Sequence, residues 1–300
     1  MRMAVILNRE GGTLRTLDLD AFEARTIATL KEHGHRPEVA IVTGEELGER
    51  LDAAIADGKT DAILIGGGDG TVSSAAAKAM DTDKALGILP AGTMNLFARS
   101  LGIPLDLDQA VEALAGGVVK PVDIASANGK PFVHQYSVGM HAKLVHLRDR
   151  MEYDSRLGKI RASAKASYDA LFRPPRLKVR VTIDGETIRA TTASIGVTNN
   201  LFGEGHLPYT DEPDGGRLGV YLTRARTRPQ MVAFAANMLV GRWEKNAHVD
   251  IMEGERVELE VLSGGKRFGC AVDGELNPLE PKVKLRIHPG ALKALVPAQS

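Results

Sequence analysis

Short apolar runs alternate with helix-like segments through the first part of the chain. Four of these runs lack the polar–apolar alternation of a strand with one face in water: Met3–Leu7, Glu38–Val42, Asp61–Ile65 and Ala85–Leu89. Strands of this kind are typical of a parallel sheet that is covered on both faces. Helical spacing is found at Phe22, Ile27 and Leu30, and over Thr71–Met80, Asn95–Leu101 and Leu107–Ala115. This order predicts a Rossmann-like, layered α/β domain over residues 1–121.

The pattern changes between residues 122 and 288, where short strands predominate and several alternate polar and apolar positions. The strand candidates are Val133–Val138, Leu177–Ile183, Thr191–Val197, Leu218–Leu222, Val257–Leu262, Phe268–Val272 and Val283–Ile287. Asp184-Gly185 and Asp273-Gly274 are dipeptides that favour hairpin turns with positive φ. Helical insertions are predicted over Ser155–Phe172 and Gln230–Val240. This part is predicted to be a C-terminal β-sandwich domain, and residues 289–300 are candidates for completing the first domain.

Composition excludes several classes of protein. Of the 300 residues, 43% are hydrophobic and 25% are charged, which allows a sizeable core, and the length favours two domains. The single cysteine, Cys270, excludes a disulfide scaffold and a multi-cysteine zinc site. Pro229–Gly241 is too short to cross a bilayer, and the apolar run near Met1 is too short for a signal peptide. We therefore expect a cytoplasmic protein.

The glycine-rich loop Gly66–Thr71 (GGGDGT), after the third predicted strand, is the most informative motif for function. Glycine costs chain entropy, so such a cluster at the end of a buried strand needs a reason. It lets the backbone approach phosphate oxygens, and the helix that follows presents free N–H groups and its positive dipole end. The spacing fits neither GxGxxG nor a Walker A loop. Asp69 would order backbone N–H groups or face a divalent cation on the phosphates, with a plain turn residue as the alternative.

A second loop follows the fourth predicted strand, within Leu89–Pro104 (LPAGTMNLFARSLGIP). Thr93 can cap the next helix or bind a phosphate through its hydroxyl group, and Asn95 can hydrogen-bond across the loop. Open α/β sheets bind ligands at the carboxyl ends of neighbouring strands. The two loops are therefore predicted to converge on one ligand.

These motifs resemble the catalytic domain of the diacylglycerol kinase family, which includes soluble bacterial diacylglycerol kinases, related bacterial lipid kinases and sphingosine kinases. The resemblance extends over nearly the whole chain. Val272–Glu275 (VDGE) is similar to the Asp-Gly-Glu signature of the second domain, and Pro289–Pro297 is similar to its usual ending. The GGDGT core is shared with NAD kinases and phosphofructokinases, whereas the GTMNLFA continuation and the DGE favour lipid kinases.

The resemblance implies that the protein uses ATP and Mg²⁺ to phosphorylate a lipid hydroxyl group, in a cleft between an α/β domain and a β-sandwich. It implies nucleotide-binding roles for Asn8, Thr43, Gly67, Gly68, Asp69, Gly70, Thr71, Gly92, Thr93 and Asn95. By the same similarity, Glu275 is the candidate general base and Asp273 is its neighbour in the site. From the residues alone, Asp273-Gly274 could equally form a hairpin turn that leaves Glu275 solvated.

Three departures from the family pattern concern carboxylates. Leu96 stands where many relatives have Asp, and Ser73-Ser74 stands where many have Asn-Glu. Asp211–Val220 resembles a stretch in which some relatives hold a structural magnesium ion, with Gly215 at the second Asp position. The candidate magnesium ligands are thus Asp69, Asp123 and, after a one-residue shift, Asp214. A surface turn is the alternative for the last of these.

The segment 142–180 carries eleven basic and four acidic side chains. Five apolar residues recur at helical spacing beside the basic ones: Leu157, Ile160, Ala164, Tyr168 and Leu171. A basic amphipathic helix suits an anionic membrane, where we expect the protein to bind peripherally and meet its lipid; a helix packed on the sandwich is the equal alternative. Nucleic acid is not expected, because aromatic residues are only 4% of the chain and no reader motif is present.

Two other functions stay open. A soluble-substrate kinase of the NAD kinase type would share GGGDGT, and a regulatory protein that binds nucleotide and membrane would fit if catalysis lapsed with the missing carboxylate at Leu96. The sequence leaves open which lipid is the acceptor and whether the chain forms a homodimer. The balance of 38 basic and 38 acidic residues is a cancellation, because residues 1–121 carry 12 basic and 18 acidic side chains and the rest carry the opposite excess.

Overall fold

The computed structural model describes residues 1–149, 176–203, 205, 207–225, 227–239, 247–263 and 269–298. The chain divides into two units. Unit 1 comprises Met1–Ile124, Tyr209–Gly215 and His288–Ser300, and unit 2 comprises Ala125–Pro208 and Gly216–Ile287. The first division falls after Ile124, close to the predicted boundary at residue 121. The segment 209–215 has no pattern of its own in the sequence, yet it packs with unit 1, where Pro213 O accepts the Asp123 N–H (2.8 Å).

Unit 1 contains a parallel sheet with helices packed against it. Its strands are β1 (Arg2–Asn8), β2 (Arg36–Val42), β3 (Ala62–Gly67) and β4 (Ala85–Pro90). Its helices are α1 (Leu19–Glu32), α2 (Gly44–Ala56), α3 (Asp69–Ala79), α4 (Leu96–Ser100) and α5 (Leu107–Ala115), with a 3₁₀ turn at Gly12–Thr16. β1 pairs in parallel with β2 and β3, and β3 with β4. Every residue of β3 and β4 is buried, which confirms the two-sided covering that the apolar runs predict.

Helix α2 has no counterpart among the helices predicted from the sequence. A capping box begins it: the Thr43 hydroxyl accepts the Glu46 N–H, and the Glu46 carboxylate accepts the Thr43 N–H (2.8 Å). Leu47, Leu51 and Ala54 are buried along one side of the helix. The sequence signature of this helix is therefore the Thr-x-x-Glu spacing before an apolar stripe.

Unit 2 is an antiparallel β-sandwich. One of its sheets contains β8 (Leu177–Ile183), β9 (Glu186–Thr192), β13 (Arg256–Val261) and the first part of β16 (Lys282–Val296). The other contains β7 (Gln135–Gly139), β10 (Ser194–Asn199), β11 (Leu218–Thr223), β12 (Val249–Gly254), β14 (Gly269–Val272) and β15 (Glu275–Pro278). Aliphatic side chains from both sheets form one core. The unit also includes β6 (Lys130–Phe132), which pairs with β5 (Val118–Ala127), and the helices α6 (Met140–Asp149) and α7 (Arg228–Leu239).

Two-residue turns with positive φ join three pairs of neighbouring strands. Asp184-Gly185 (φ +46° and +99°) and Asp273-Gly274 (+47° and +81°) confirm the turns that the sequence predicts. Asn128-Gly129 (+49° and +80°) forms a third turn, and its Asn-Gly dipeptide is an equally strong sequence indication. In each case the first side chain also accepts a backbone N–H from an adjacent strand or loop.

Two strand predictions differ from the structure. One strand over Thr191–Val197 is wrong, because these residues end β9 and begin β10, which lie in different sheets. Val283–Ile287 is only the first part of β16, which continues through Pro289 and pairs with β4 at Lys293 in unit 1. The predicted helix Ser155–Phe172 lies outside the described residues. None of the helices that the structure describes has the length and apolar character needed to cross a membrane.

Candidate functional site

Three loops come together at the carboxyl ends of β1, β3 and β4 in unit 1. The Thr13 N–H donates to Ala91 O (2.8 Å), and the Ala91 N–H donates to Gly67 O (3.0 Å). The loops approach so closely that side chains would collide: a Cβ on Gly12, where φ is +37°, would lie 1.8 Å from Ala91 O, and one on Gly92 would lie 2.9 Å from the Cα of the neighbouring loop. The glycine-rich loop and the second loop therefore meet, as the sequence predicts.

Asp69 ties the glycine-rich loop to the second loop. Its Oδ2 accepts the Asn95 N–H (3.2 Å), and its Oδ1 accepts the Leu96 N–H (2.9 Å). Asp69 thus orders backbone N–H groups, which is the first of the two roles that the sequence suggests for it. A carboxylate offers about four acceptor positions, so these two bonds still leave positions for a cation.

Two asparagines hold the backbone of these loops through both ends of their side-chain amides. The amide of Asn8 donates to Thr71 Oγ1 (3.1 Å) and accepts the Glu10 N–H (3.0 Å). The amide of Asn95 accepts the Gly92 N–H (2.8 Å) and donates to Gly92 O (2.9 Å). Asn95 itself is left-handed (φ +50°), a conformation that asparagine tolerates. Both asparagines therefore belong to the loop cluster and shape it.

The N-terminus of α3 points its backbone N–H groups into this loop cluster. Its N-cap is Gly68, and no side chain among the described residues caps it. A Cβ on Gly67 would lie 2.5 Å from Thr71 Cγ2, so glycine is what allows the strand and the helix to pack this closely. Uncapped N–H groups at the positive end of a helix dipole favour an anion. The residues present therefore fit a phosphate group, and Gly67, Gly68, Gly70 and Thr71 lie where the sequence predicts a phosphate-binding loop.

Thr43 and Thr93 differ in how far they are available to a ligand. The Thr43 hydroxyl donates to Glu46 Oε2 (3.0 Å). The hydrogen bonds that Glu46 accepts from Thr43, first from its backbone N–H and then from its hydroxyl, hold the pKa of Glu46 below its usual value. The Gly44 N–H beside it is taken by the Glu10 carboxylate (2.8 Å). Thr93 is exposed within the second loop. The structure thus brings Thr93 into the loop cluster and engages Thr43 in the helix cap.

Asp273 and Glu275 lie on the β14–β15 hairpin of unit 2. The Asp273 carboxylate accepts the backbone N–H groups of Val133 (2.9 Å), His134 (2.9 Å) and Gln135 (3.0 Å), so it fixes the start of β7. Glu275 pairs across the hairpin, and its side chain is exposed. The hairpin turn that the sequence allows is thus present, and the role of Glu275 as general base stays a prediction.

Asp123 and Asp214 belong to unit 1 but have different surroundings. Asp123 is only 1% exposed, and its Oδ1 accepts the Gly290 N–H (2.9 Å). Asp214 is exposed. Within the described ranges, no group of three His, Cys, Asp or Glu side chains is arranged to hold a metal ion. Magnesium binding by Asp69, Asp123 or Asp214 stays a prediction.

A polar network around His141 was not apparent from the sequence. On the sheet face opposite the core of unit 2, Ser137 Oγ lies 2.7 Å from His141 Nδ1, and Gln135 Nε2 lies 3.2 Å from His141 Nε2. Ala142 and Val145 of the same helix pack on the sheet beside them. Helix α6 is therefore anchored to β7 by polar and apolar contacts together.

Cys270 is buried, as its strand position predicts. It is 3% exposed, and burial raises the pKa of its thiol. Burial likewise raises the pKa of the nearby Tyr136 hydroxyl. Neither group is ionised near neutral pH, so both belong to the core rather than to the chemistry.

Two parts of the chain each match a known family of domains. Residues 2–127 match the diacylglycerol kinase catalytic domain. Residues 135–296 match the YegS C-terminal NAD kinase beta sandwich-like domain. The chain belongs to the diacylglycerol kinase family of lipid kinases.

Individual relatives agree with this assignment. A diacylglycerol kinase of Mycobacterium tuberculosis is 31% identical over 90% of this chain and 88% of its own length. A diacylglycerol kinase of Bacillus subtilis is 24% identical over 74% of this chain and 73% of its own length. The crystal structure of a diacylglycerol kinase from Bacillus anthracis superposes with a TM-score of 0.74, at 18% identity, over 98% of this chain and 96% of that one. The last comparison shows the shared fold.

Proposed function

We propose that this protein is an ATP- and Mg²⁺-dependent lipid kinase that transfers the γ-phosphate to a hydroxyl group of diacylglycerol or a related lipid. The observation that carries the proposal is the cluster of three glycine-containing loops at the carboxyl ends of β1, β3 and β4. Family membership supports a lipid acceptor, and the relatives from Mycobacterium tuberculosis and Bacillus subtilis are named diacylglycerol kinases.

The nucleotide phosphates are assigned to the N–H groups at the start of α3, with the hydroxyls of Thr71 and Thr93 beside them. Asp69, Asn8 and Asn95 would act on the backbone, because their hydrogen bonds already hold the loops in one arrangement before a ligand arrives. Such preorganisation lowers the cost of binding and of stabilising charge in the transition state. Magnesium, when bound, supplies positive charge that offsets the phosphate charge, and the remaining acceptor positions of Asp69 would help to hold it.

Glu275 is assigned as the general base. As the lipid hydroxyl oxygen forms its bond to phosphorus and the bond to the leaving ADP oxygen breaks, the hydroxyl proton would pass to the Glu275 carboxylate. The exposed side chain is open to an incoming lipid. Asp273 would serve as a positioning residue, since its three backbone hydrogen bonds hold the hairpin that carries Glu275.

None of the described helices is long and apolar enough to span a membrane, so a lipid kinase of this kind needs a surface that reaches the bilayer. We assign peripheral membrane binding to basic residues of unit 2. The predicted amphipathic helix lies outside the described residues. The described part of the segment 142–180 includes Lys178 and Arg180, which are on β8.

The deciding experiment is incubation of the purified protein with radiolabelled ATP, Mg²⁺ and a total lipid extract, followed by identification of the labelled lipid. Label in a phosphorylated lipid, lost when Mg²⁺ is chelated, is the expected result. Transfer to NAD with no labelled lipid would replace the proposal with a soluble-substrate kinase. ATP binding without transfer to any acceptor would replace it with a regulatory protein.

A further inference from the structure

The outward face of one sheet of unit 2 carries an unusual excess of basic side chains. The face is formed by β16, β13, β8 and β9, whose inward residues, such as Val179, Leu259 and Leu285, lie in the core. Seven basic residues point outward, and we call them the basic face: Lys178, Arg180, Arg189, Arg256, Lys282, Lys284 and Arg286. Only Glu258 and Glu260 oppose them at the outward positions of these strands. The protein as a whole has no net charge, so this concentration is local.

The strand register places like charges directly opposite each other. Arg256 is paired with Arg286, and Arg180 is paired with Arg189. Like charges at directly opposed positions destabilise a sheet. Two such pairs on one face lower the stability of the fold. An anionic partner would explain the face, because it would be attracted by the same charges.

The two glutamates account for only part of the basic face. Glu258 pairs with Lys282 (2.7 Å) and with Lys284 (4.0 Å), and Glu260 pairs with Arg180. Four cations form no ion pair with any residue that the structure describes: Lys178, Arg189, Arg256 and Arg286. All four are exposed. They are therefore available to an anionic partner.

The shape and chemistry of the basic face favour a lipid surface over nucleic acid. Four neighbouring strands span about 14 Å, which makes a broad platform rather than a groove. Its outward side chains on β8, β9, β13 and residues 282–286 of β16 are charged or are threonines, such as Thr182 and Thr191, and none of these carries an aromatic ring on which bases could stack. At the β9 edge lies a cavity of about 500 Å³, whose lining includes Lys178, Arg189, the exposed apolar side chain of Leu262 and, from the other sheet, the ion pair of Arg224 with Asp250. Cations beside an apolar wall match a phospholipid headgroup next to its glycerol and first methylenes.

We propose that the basic face is the surface by which this protein docks on an anionic phospholipid bilayer. The inference rests on the proposed function, because a kinase for a membrane lipid must reach the bilayer, and it identifies the strands rather than the segment before them as the docking surface. Each cation near an anionic membrane strengthens binding by a factor of about five. The attraction weakens with salt, since charges beyond about 10 Å are screened at 0.1 M.

The test is vesicle co-sedimentation of the full chain, with phosphatidylglycerol-containing vesicles against pure phosphatidylcholine. Arg256→Thr with Arg286→Thr should lower the partition coefficient on anionic vesicles by about 25-fold, and adding Lys178→Thr with Arg189→Thr should lower it further. Threonine keeps the strand propensity and relieves the repulsion, so the melting temperature should not fall. The matched control is Arg2→Thr with Arg36→Thr, an exposed cross-strand arginine pair in unit 1, which should bind within about twofold of wild type.

Three outcomes would overturn the docking surface. Unchanged vesicle binding by the four-fold variant is the first, and an equal loss in the control is the second. The third is tighter binding of an oligonucleotide than of anionic vesicles through the same four cations. Phosphorylation of a short-chain, dispersed diacylglycerol separates this proposal from the proposed function, because the variants should keep that rate. If wild type phosphorylates no lipid while its vesicle binding still depends on these cations, the proposed function fails and the docking surface stands.

Discussion

At the scale of single residues, the aspartates of the candidate site act on backbone N–H groups. Asp69 accepts two of them and Asp273 accepts three, whereas the Glu275 side chain is exposed. The carboxylates of the candidate site therefore differ in their contacts. The aspartates hold loops in place, and the proposed role of general base is assigned to the exposed glutamate.

Replacing Asp69 with Asn should damage the loop cluster more than the fold. An asparagine side chain has one accepting oxygen, so only one of the two backbone N–H groups of the second loop could still donate to it. The other N–H group would face the NH₂ group of the amide, which is also a donor. Hydrogen bonds to charged groups contribute about 1.5–3 kcal/mol, and we expect a loss of stability in that range. The displaced loop should lower phosphoryl transfer by about 100-fold. Calorimetry and the radiolabelled-ATP assay measure the two effects.

Asp52→Asn is the control for this change. Asp52 pairs with Lys78 on the surface of unit 1 (2.5 Å) and has 64% of its side chain exposed. Exposed pairs contribute about 0–1 kcal/mol, so this variant should keep both stability and activity. Wild-type activity in the Asp69 variant would remove Asp69 from the site.

The two carboxylates of the hairpin should separate in a mutant pair. Glu275→Gln should lower the turnover rate by about 100-fold or more without lowering the melting temperature, because the side chain is exposed and forms no hydrogen bond or ion pair with the residues that the structure describes. Asp273→Asn keeps the positive-φ turn but loses part of its hold on three N–H groups, so it should cost about 1–3 kcal/mol. Kinetics and thermal unfolding of both variants provide the check. A normal rate in the glutamine variant would reduce Glu275 to a strand residue.

At the scale of elements, glycine has opposite roles in a loop and in a helix. Gly12 has positive φ and no room for a Cβ, whereas a Cβ on Gly48, inside α2, would meet nothing within 4 Å. Gly12→Ala should therefore push the first loop away from the second, destabilise unit 1 by about 1–3 kcal/mol and abolish ATP binding. Gly48→Ala should stabilise the protein by about 0.5–1 kcal/mol with ATP affinity unchanged.

Titration calorimetry with ATP and chemical denaturation distinguish these two variants. Equal effects from both alanines would mean that the loop contact at Ala91 does not matter for the site.

Elements also show how far local patterns reach. The apolar runs predict β1, β3 and β4, and α5 begins and ends where its periodicity predicts. Helix α2 was missed, although its Thr43-x-x-Glu46 capping box is legible in the sequence. The split between β9 and β10 cannot be predicted from the sequence, because the run Thr191–Val197 contains no turn signal where the chain passes from one sheet to the other at Ala193. The exchange of sheets depends on which neighbouring strands are available for pairing.

At the scale of the whole molecule, the chain end belongs to the first unit. Leu292, Ala294 and Leu295 are fully buried, and β16 pairs with β4 there. A chain that ends at Ile287 would lose two buried leucines at about 2–5 kcal/mol each, which approaches the whole stability of a typical domain. We expect unit 1 to unfold in this truncation.

Thermal unfolding and the amide spectrum of the truncated chain test this expectation, with a chain that ends at Pro297 as the control. Cooperative unfolding at the wild-type temperature in the chain that ends at Ile287 would contradict it.

Net charge is informative only after the fold is known. The sequence shows that the second part of the chain is basic, and it pointed to the segment 142–180. The structure adds the strand register, which gathers cations from four separated strands onto one face. Lys178 and Arg180 belong both to the segment 142–180 and to the basic face. Arg256 follows an acidic residue and Arg286 lies in an alternating strand, so the sequence alone does not single out either of them.

The sequence by itself determined the two classes of domain, the glycine-rich loops and the family, because these depend on local periodicity and short motifs. Tertiary structure alone decided that Asp69 caps the second loop, that residues 209–215 join unit 1 and that β16 serves both units. It alone placed Arg256 opposite Arg286. The physical reason is that hydrogen-bond partners and strand register are set by packing between segments distant along the chain, and a one-residue shift in register would turn every outward cation of a strand toward the core.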